Sequence, residues 1–279
     1  MVEEIFDDGK EPTPQEKAMM QALMGGGLLK FSHTADGKVD IDVIPISDIY
    51  LDPPKGKPMT VKWSHSALKD YEGCPRRYHE VKVLKNYPFT DTQATIYGKE
   101  LHEAAEFYIK DDKPLPPQFE FIKETLDALK AKPGRKLCEH EMGIRADLTP
   151  CGFMDKDVWC RGIADLLIID DDNLTARVVD YKTGNNKYPD REQLKLMALM
   201  VFAHFPHIRK VSGALLFVVK NDLVKASFMR GEAEEYWWDY RERVARIEQA
   251  HDSGVWNPKP TPLCGWCVVK TCEYNKKRD

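Results

Sequence analysis

Two aspartates and a lysine have the spacing in this sequence that best suits a catalytic site. Asp165, Asp180 and Lys182 fall within residues 162–184, which read GIADLLIIDDDNLTARVVDYKTG. Two apolar, β-branched runs flank the turn-rich residues 170–173, so the segment is predicted to be a β-hairpin. A tight turn centred there sets Asp165 opposite Asp180, with Cβ atoms roughly 4.5–5.5 Å apart. Lys182 lies two residues beyond Asp180, and strand alternation therefore puts all three side chains on one face.

Paired carboxylates beside an amine are the donor set of a metal-dependent phosphodiesterase. Opposed carboxylates destabilise a sheet unless a cation lies between them. Mg²⁺ takes oxygen ligands from one or two carboxylates, from waters and from substrate phosphate. A neighbouring lysine orients or deprotonates a water, or stabilises the charge that develops on phosphate. The pattern indicates metal-assisted phosphodiester hydrolysis, and the alternative is an ordinary hairpin whose acids are solvated.

The composition limits the class of protein. The chain has 279 residues, 42% hydrophobic and 31% charged, as expected of a globular protein of one or two domains. No apolar run approaches the ~18 residues of a membrane-spanning helix. The acidic start MVEEIFDDGKEPTPQEK lacks the features of a secretion signal. We therefore expect a cytoplasmic protein that does not engage membranes.

The overall charge does not indicate a nucleic-acid ligand. The net charge is −4, whereas nucleic-acid-binding domains are usually basic. DNA binding must therefore rest on local patches, of which Arg76 and Arg77 form one and the tail residues 276–278 form another. The alternative is solvated surface, which is the usual role of charge runs.

Apolar periodicity outlines the elements that must position these residues. Helices are predicted over residues 97–110, 117–131, 191–205 and 232–250, and strands over 137–146, 153–160, 211–219 and 223–229. Ser64 or Ser66 is expected to cap a further short helix, and Asp190 the helix from residue 191. Glu139 and Glu141 could approach the metal face, but solvent-facing strand positions are the favoured interpretation of both. The order of elements suits a mixed sheet flanked by helices.

Residues 1–60 are expected to form an N-terminal arm of unknown role. A short helix is predicted over residues 13–24 and a strand over residues 39–44. The proline- and glycine-rich residues 53–58 indicate a connector.

Several motifs together resemble the PD-(D/E)XK nuclease superfamily. They are SHSALKDYEGCPRRY from Ser64, GKELHEAAE from Gly98, GIAD and VVDYKTG in the hairpin, and the pair Gln193-Leu194. Within the superfamily the likeness is to the RecB-like branch, which includes the AddB nuclease domain and CRISPR-associated RecB-like exonucleases. It spans about residues 64–274. It implies an α/β restriction-endonuclease-like core over residues 61–279, with a C-terminal cysteine-rich metal clasp at 260–274.

The resemblance implies how the catalytic metal is held. Asp165 and Asp180 would bind it, with His102 as the third protein ligand and the Tyr181 backbone carbonyl as a further one. A lone histidine beside a helical apolar stripe is usually a packed or surface residue, and only the resemblance makes His102 a ligand. An imidazole among carboxylates suits Mn²⁺ at least as well as Mg²⁺.

The resemblance also implies that two further residues of this chain take part in the reaction. Lys182 would activate water or hold the phosphate, and Gln193 would help to position it. Gln193 has an alternative role as partner of Asp190 in an arrangement like a capping box. Met197 stands where the family element has tyrosine, which puts that tyrosine's role here in doubt.

The cysteine pattern indicates a second metal site. Cys264, Cys267 and Cys272 form C-x2-C-x4-C, and an odd total of seven argues against a disulfide framework. The resemblance adds Cys74 as the fourth ligand and implies a [4Fe–4S] cluster, with zinc as the alternative. Small buried hydrophobes are the expected role of the remaining three, Cys138, Cys151 and Cys160.

The interpretation that follows is a metal-dependent DNA nuclease. The resemblance favours an exonuclease acting on DNA ends in recombination, repair or DNA processing, with protein partners in such a complex. An endonuclease stays open. The main alternative is a non-catalytic DNA-binding or scaffold subunit that retains the fold and the iron–sulfur cluster. A third interpretation is a zinc-stapled protein-interaction module.

Overall fold

The computed structural model describes residues 28–33, 39–44, 61–184, 187 and 189–275. The chain divides into two compact units, Met1–Pro58 and Met59–Asp279. The helix predicted over residues 13–24 and the basic tail at 276–278 lie outside the described residues. In the first unit, β1 (Leu28–His33) pairs antiparallel with β2 (Val39–Ile44). The strand predicted over residues 39–44 is thereby confirmed.

The second unit is built on a seven-stranded mixed sheet. Its strands are β3 (Trp63–Ser64), β4 (Arg135–Ile144), β5 (Pro150–Cys151), β6 (Cys160–Asp170), β7 (Thr175–Lys182), β8 (Lys210–Phe217) and β9 (Asp222–Met229). They lie in the order β5-β4-β6-β7-β8-β9, with β3 alongside the start of β6. Neighbours run antiparallel except for the parallel pairs β3–β6 and β7–β8. The predicted fold class is confirmed.

Helices cover both faces of this sheet. They are α1 (His65–Gly73), α2 (Pro75–Tyr78), α3 (Gln93–Asp111), α4 (Lys123–Lys130), α5 (Arg191–His204) and α6 (Ala233–Ser253). Ser64 caps α1 by accepting a hydrogen bond from the Ala67 N–H, and Asp190 caps α5 through the Glu192 N–H. Within the described part of the chain, none of these helices combines the length and hydropathy that a bilayer-spanning segment requires.

The strands are apolar on both sides because the sheet separates two cores. Leu167 and Ile169 of β6 enter the core formed with α1, α5 and α6. Leu166 and Ile168 enter the opposite core, which α3 and α4 cover. All four side chains are fully buried, so the central strand is fixed from both faces.

β6 and β7 form the predicted hairpin. Their register pairs Leu166 with Val179, and its continuation by one rung sets Asp165 opposite Asp180, as predicted. On the edge of β6 that pairs with β7, the first two residues of β6 pair with β3 instead. In the described sheet, residues 162–165 therefore have no ladder partner on that side, and β6 and β7 separate at Asp165.

One predicted strand is wrong. Residues 152–158 form turns between β5 and β6, although a strand was expected over 153–160. The Asp155 carboxylate accepts a hydrogen bond from the Gly152 N–H at 2.9 Å and lies 3.4 Å from Arg145 Nη2 on the flank of the loop. These polar contacts close a loop and prevent extension. The helix predicted over residues 117–131 begins with a 3₁₀ helix, Pro117–Ile122, before α4. The other predicted elements of this unit are observed with ends within four residues.

Helix α5 lies unusually close to the sheet because two glycines face it. A Cβ added at Gly162 would lie 2.6 Å from the Met200 sulfur, and one at Gly213 would lie 3.0 Å from the Leu194 Cβ. Any larger side chain at Gly162 would therefore displace the helix or its methionines.

We predict that Gly213→Ala lowers the free energy of unfolding by about 1–3 kcal/mol, the usual cost of overpacking, because its Cβ would press on the Leu194 Cβ next to the backbone of α5. Urea unfolding measures it. Gly231→Ala is the matched control, since a Cβ at Gly231 meets no atom within 4 Å, and we expect a change within about 0.5 kcal/mol. Equal stabilities of the two variants would contradict the close approach of α5.

Candidate active site

Three carboxylates lie on one rung of the sheet, at the point where β6 and β7 separate. The β4–β6 pairs on either side, Cys138 with Leu166 and His140 with Ala164, set Glu139 level with Asp165. The β6–β7 register, continued one residue beyond its last pair, sets Asp180 level with Asp165 on the other side. Opposed like charges destabilise a sheet. The rung is therefore electrostatically unfavourable unless a cation neutralises it.

The backbone redirects side chains at this rung. Glu139 has a φ of 44°, in the left-handed region that is costly for residues other than glycine. On β6, Ala164 and Leu167 enter one core and Leu166 enters the other. Strict alternation would put Ala164 and Leu166 on the same face. The alternation is therefore reversed at Asp165, directly opposite the strained Glu139.

The prediction that Asp165, Asp180 and Lys182 share one face is wrong for Asp165. Its Oδ2 accepts a hydrogen bond from the Tyr181 N–H at 2.7 Å and lies 3.4 Å from His102 Nδ1, on α3. Lys182 instead extends toward α5, which packs on the opposite face of the sheet. The physical reason is the reversed alternation, which the hairpin register alone does not reveal.

His102, Glu139 and Asp165 form a group of potential metal ligands. Each offers one ligand atom, and these atoms all lie within 4.8 Å of one another. His102 Nε2 is 3.0 Å from the Tyr181 carbonyl oxygen, and Nδ1 is 3.9 Å from Glu139 Oε1. Glu139 was expected to face solvent, and this expectation is wrong, whereas Glu141 is exposed as expected. No local pattern distinguishes the two glutamates, because only pairing with β6 brings Glu139 to the rung.

Burial and mutual repulsion perturb these groups. Burial, followed by the Asp180 carboxylate, raises the pKa of Asp165 well above its usual value. Burial, Glu106 and Asp180 raise the pKa of Glu139. Burial is the main cause that lowers the pKa of His102, which favours the neutral imidazole that binds metals. The raised pKa values of Asp165 and Glu139 therefore reflect carboxyl groups that are buried next to like charges.

Asp180, Lys182 and Gln193 form a second, connected group. Lys182 Nζ lies 2.6 Å from Asp180 Oδ2 and donates to Gln193 Oε1 at 2.9 Å. The Gln193 amide nitrogen donates to Asp180 Oδ1. The side chain of Gln193 is therefore engaged in the active-site cluster, and the capping-box role with Asp190 is not observed.

The donor set fits a hard divalent cation. Oxygen ligands with one imidazole suit Mg²⁺ or Mn²⁺. Asp180 Oδ2 is buried and, within the described residues, makes no hydrogen bond of acceptable geometry despite its proximity to Lys182. Its charged neighbour is the Lys182 ammonium at 2.6 Å, so Asp180 is ion-paired next to the group formed by His102, Glu139 and Asp165.

A cleft gives access to this site from the α3 side. It encloses about 1020 Å³ including its open mouth. Its lining includes His102, Glu139, Thr183 and, from the first turns of α3, Thr95 and Lys99. Met197, which stands where the family element has tyrosine, is buried on α5 against Gly162. It therefore packs against the sheet and does not reach this cleft.

The four cysteines of the predicted second metal site line one cavity. Cys74, Cys264, Cys267 and Cys272 surround about 300 Å³ of space beneath the C-terminal segment. The chain supplies backbone donors to the sulfurs, because the Lys259 N–H points to Cys74 Sγ at 3.4 Å and that of Thr261 to Cys264 Sγ at 3.2 Å. Such N–H groups commonly surround metal-bound thiolates.

The spacing of the cysteine sulfurs can be compared with that of a zinc site. A tetrahedral zinc site with Zn–S bonds of about 2.3 Å puts its sulfurs roughly 3.8 Å apart. Among the described residues, groups of three ligand atoms within 4.8 Å of one another are limited to His102, Glu139 and Asp165. No three of the cysteine sulfurs in the described part of the chain therefore lie within 4.8 Å of one another.

Arg76 and Arg77 also line the cysteine cavity. Arg76 Nε lies 3.4 Å from Glu80 Oε1, and Arg77 Nη1 lies 3.0 Å from Asp70 Oδ1. Both guanidinium groups are thus paired with acids of their own helical segment. Their predicted contact with DNA stays a prediction.

The remaining cysteines have the character of packed thiols. Burial raises the pKa of Cys138 to about 11 and that of Cys160 well above its usual value. The pKa of Cys151 is raised as well, mainly by burial. High thiol pKa values oppose formation of the reactive thiolate.

Comparison with known proteins agrees with this architecture. The sequence profile of the PD-(D/E)XK nuclease superfamily matches residues 62–272, and the chain belongs to this superfamily. The match includes all three acids of the rung, Lys182 and the four clustered cysteines. The fold, the acidic ligand group and the family together define a nuclease.

Solved structures with a similar fold are distant in sequence. A protein provisionally named as an exonuclease, from Eubacterium rectale, is 15% identical with a TM-score of 0.45, covering 84% of this chain and 94% of that chain. The protein SSO0001 is 14% identical with a TM-score of 0.39, covering 80% and 90% respectively. No curated protein sequence matches the chain. These likenesses concern the fold alone.

We predict that Glu139→Gln weakens Mn²⁺ binding by at least about tenfold, because even the loss of a group that only supports a ligand has that effect. The metal-free variant is expected to unfold at a slightly higher temperature, since one repelling charge is removed. Thermal unfolding across a Mn²⁺ titration measures both effects.

Glu141→Gln is the matched control for this experiment. It removes an exposed carboxylate two residues away on the same strand. The control should respond to Mn²⁺ as the unaltered protein does. Identical titrations for the two variants would exclude Glu139 from the metal site.

Proposed function

We propose that this protein is a metal-dependent DNA nuclease of the RecB-like branch, and that it acts as an exonuclease on DNA ends. The observation that carries the proposal is the convergence of His102, Glu139 and Asp165 beside the connected Asp180 and Lys182. Superfamily membership supports DNA as the substrate. Recombination, repair or DNA processing is the setting that we propose, with protein partners in such a complex.

In this proposal, the metal is held by residues from both sides of the gap in the sheet. His102, Asp165, Asp180 and the Tyr181 carbonyl are the ligands expected from the sequence, and Glu139 joins them on the strength of its position. A divalent cation bound there supplies a Lewis acid and lowers the pKa of a bound water. Mn²⁺ is as suitable as Mg²⁺ because of the imidazole.

Lys182 carries the proton-transfer and charge-stabilising role. Its ammonium group is held by Asp180 and Gln193, so its position is fixed before substrate binds. From there it donates to a water or to a phosphate oxygen on which charge develops. Gln193 is a positioning residue, because it holds the lysine and the aspartate in one orientation.

The cysteine cavity is proposed to hold a [4Fe–4S] cluster. The four cysteines around one cavity and the backbone N–H groups aimed at two of the sulfurs support a thiolate-bound metal group. The resemblance to RecB-like nucleases is what favours a cluster over zinc. Cys74 lies about 190 residues before the other three, so the group would close a long loop and tie the C-terminal segment to α1 and α2. A cytoplasmic location fits this proposal, and all seven cysteines are free of disulfides in the structure.

We predict that Lys182→Ala reduces cleavage of linear DNA by at least about 100-fold, a typical loss when a proton-transfer group is removed, with the fold retained. End-labelled linear DNA in Mn²⁺ and circular dichroism measure the two effects. Lys225→Ala, an exposed lysine on the edge strand β9, should cleave normally. Full activity of the Lys182 variant would remove the lysine from the mechanism.

The same assay tests the mode of attack and the non-catalytic alternative. An exonuclease degrades linear single- or double-stranded DNA and spares covalently closed circles. Cleavage of the circles would assign an endonuclease. A scaffold subunit would bind DNA and leave every substrate intact in both Mg²⁺ and Mn²⁺.

A separate prediction concerns the cysteines. Anaerobically purified protein should be brown and contain iron, and Cys267→Ser should lose both the colour and the iron. Loss of a link that closes so long a loop is worth several kcal/mol, so the melting temperature should fall by at least about 5 °C. Cys151→Ser, which lies outside the cavity, should keep iron and stability. Zinc in place of iron in the unaltered protein would contradict the cluster.

A further inference from the structure

An open cleft lies between α1 and the C-terminal segment, next to the cysteine cavity. We call it the tail cleft. It encloses about 1010 Å³ including its open mouth, and its lining includes Lys69, Arg77, Lys259, Leu263 and Trp266. It is separate from the cleft on the α3 side, which reaches the metal ligands. Cys74, Cys264 and Cys267 of the cysteine cavity also border this second cleft, and no role proposed above uses Lys69, Lys259 or Trp266.

The side chains of the tail cleft combine cations with exposed apolar surface. Trp266 is 61% exposed and Leu263 is 69% exposed. Lys69 and Arg77 are half-exposed at its wall. The acidic group in the lining is Asp70, and Arg77 and Lys82 both pair with it. The lining thus carries three cations and one acid. Lys69 is also paired with Asp190, and Lys259 Nζ donates to the Glu72 carbonyl oxygen at 2.8 Å.

The tail cleft begins beside the active-site helix. Lys69 forms an ion pair with Asp190, the N-cap of α5. Three residues later on that helix, Gln193 holds Lys182. From this end the cleft runs along α1 to Trp266, in the loop that carries two of the clustered cysteines. Through Lys69, the cleft therefore borders the N-cap of α5.

We propose that the tail cleft binds single-stranded DNA, with a base stacked on Trp266 and the backbone along Lys69 and Lys259. Sequence-independent single-strand sites pair a basic groove with aromatic platforms, because every base offers a flat face. A duplex keeps its bases stacked on one another and would engage the cations alone. This inference rests on the proposed function in one respect, namely that DNA is the substrate.

The test measures binding without cleavage. A fluorescent 12-nucleotide oligo(dT) is titrated with protein in EDTA, and anisotropy reports the affinity. Trp266→Leu keeps apolar bulk and loses the stacking face, so the affinity should fall at least about fivefold. Trp266→Phe restores a flat ring and should lie within about threefold of the unaltered protein. Trp238→Leu, at an exposed tryptophan on α6, is the control and should bind normally.

Salt dependence tests the cationic wall independently. Lys259→Gln should reduce the slope of log affinity against log salt by about 0.7, the value for one phosphate contact on a single strand. Lys225→Gln, on β9, should leave the slope unchanged. Iron content is measured for each variant. If Trp266→Leu loses iron, the salt slope of Lys259→Gln alone decides whether the tail cleft binds DNA.

The outcomes separate this inference from the proposed nuclease. Unchanged oligo(dT) affinity in Trp266→Leu with an unchanged slope in Lys259→Gln would overturn the tail cleft as a DNA site and point to a protein ligand there. That result is compatible with full cleavage activity. Conversely, binding that depends on Trp266 in a protein that never cleaves DNA would uphold the inference and overturn the nuclease proposal.

Discussion

The structure depends on one unfavourable arrangement, three carboxylates brought to the same rung of a sheet. Repulsion among Glu139, Asp165 and Asp180 opposes folding, and the left-handed backbone at Glu139 adds strain of about 1–3 kcal/mol. The central strand tolerates these costs because residues 166–169 are buried on both faces, and each buried aliphatic side chain contributes about 1.5–3 kcal/mol. A sheet with one solvated face would lack half of that burial. Burial of the central strand on both faces therefore offsets the repulsion and the backbone strain at this site.

The gap between β6 and β7 explains how groups from opposite faces of a sheet come together. A continuous sheet would separate α3 from α5 by its full thickness. Here the ladder stops at Asp165, whose carboxylate takes the place of a ladder partner by accepting the Tyr181 N–H. His102 reaches Asp165 from the face that α3 covers, and Gln193 reaches Asp180 from the face that α5 covers. The separation of β6 and β7 is thus the feature that lets side chains from both faces of the sheet meet at the candidate site.

The sequence was sufficient for what local rules determine. The turn fixed the hairpin register, and Asp190 marked the start of α5 correctly. Glu139 was assigned to solvent because its position beside Asp165 depends on a strand about 25 residues away and on a left-handed backbone that the residue type does not predict. The direction of Asp165 was mispredicted for the same reason, since period-two reasoning fails where the alternation reverses. Motif order supplied the cysteine grouping, but only the fold could bring Cys74 to the other three.

One arginine connects the cysteine-bearing end of α1 with the first turn of α5. Arg243, on α6, binds both carboxylate oxygens of Glu72, at 2.7 and 2.9 Å, and a carboxylate oxygen of Glu192 at 3.0 Å. Glu72 lies two residues before Cys74, and Glu192 directly precedes Gln193. A partly buried, bidentate arginine holds its geometry better than an exposed ion pair. Arg243 therefore links the end of α1 that leads into Cys74 with the first turn of α5 that carries Gln193, so a shift of α1 would be passed to that turn.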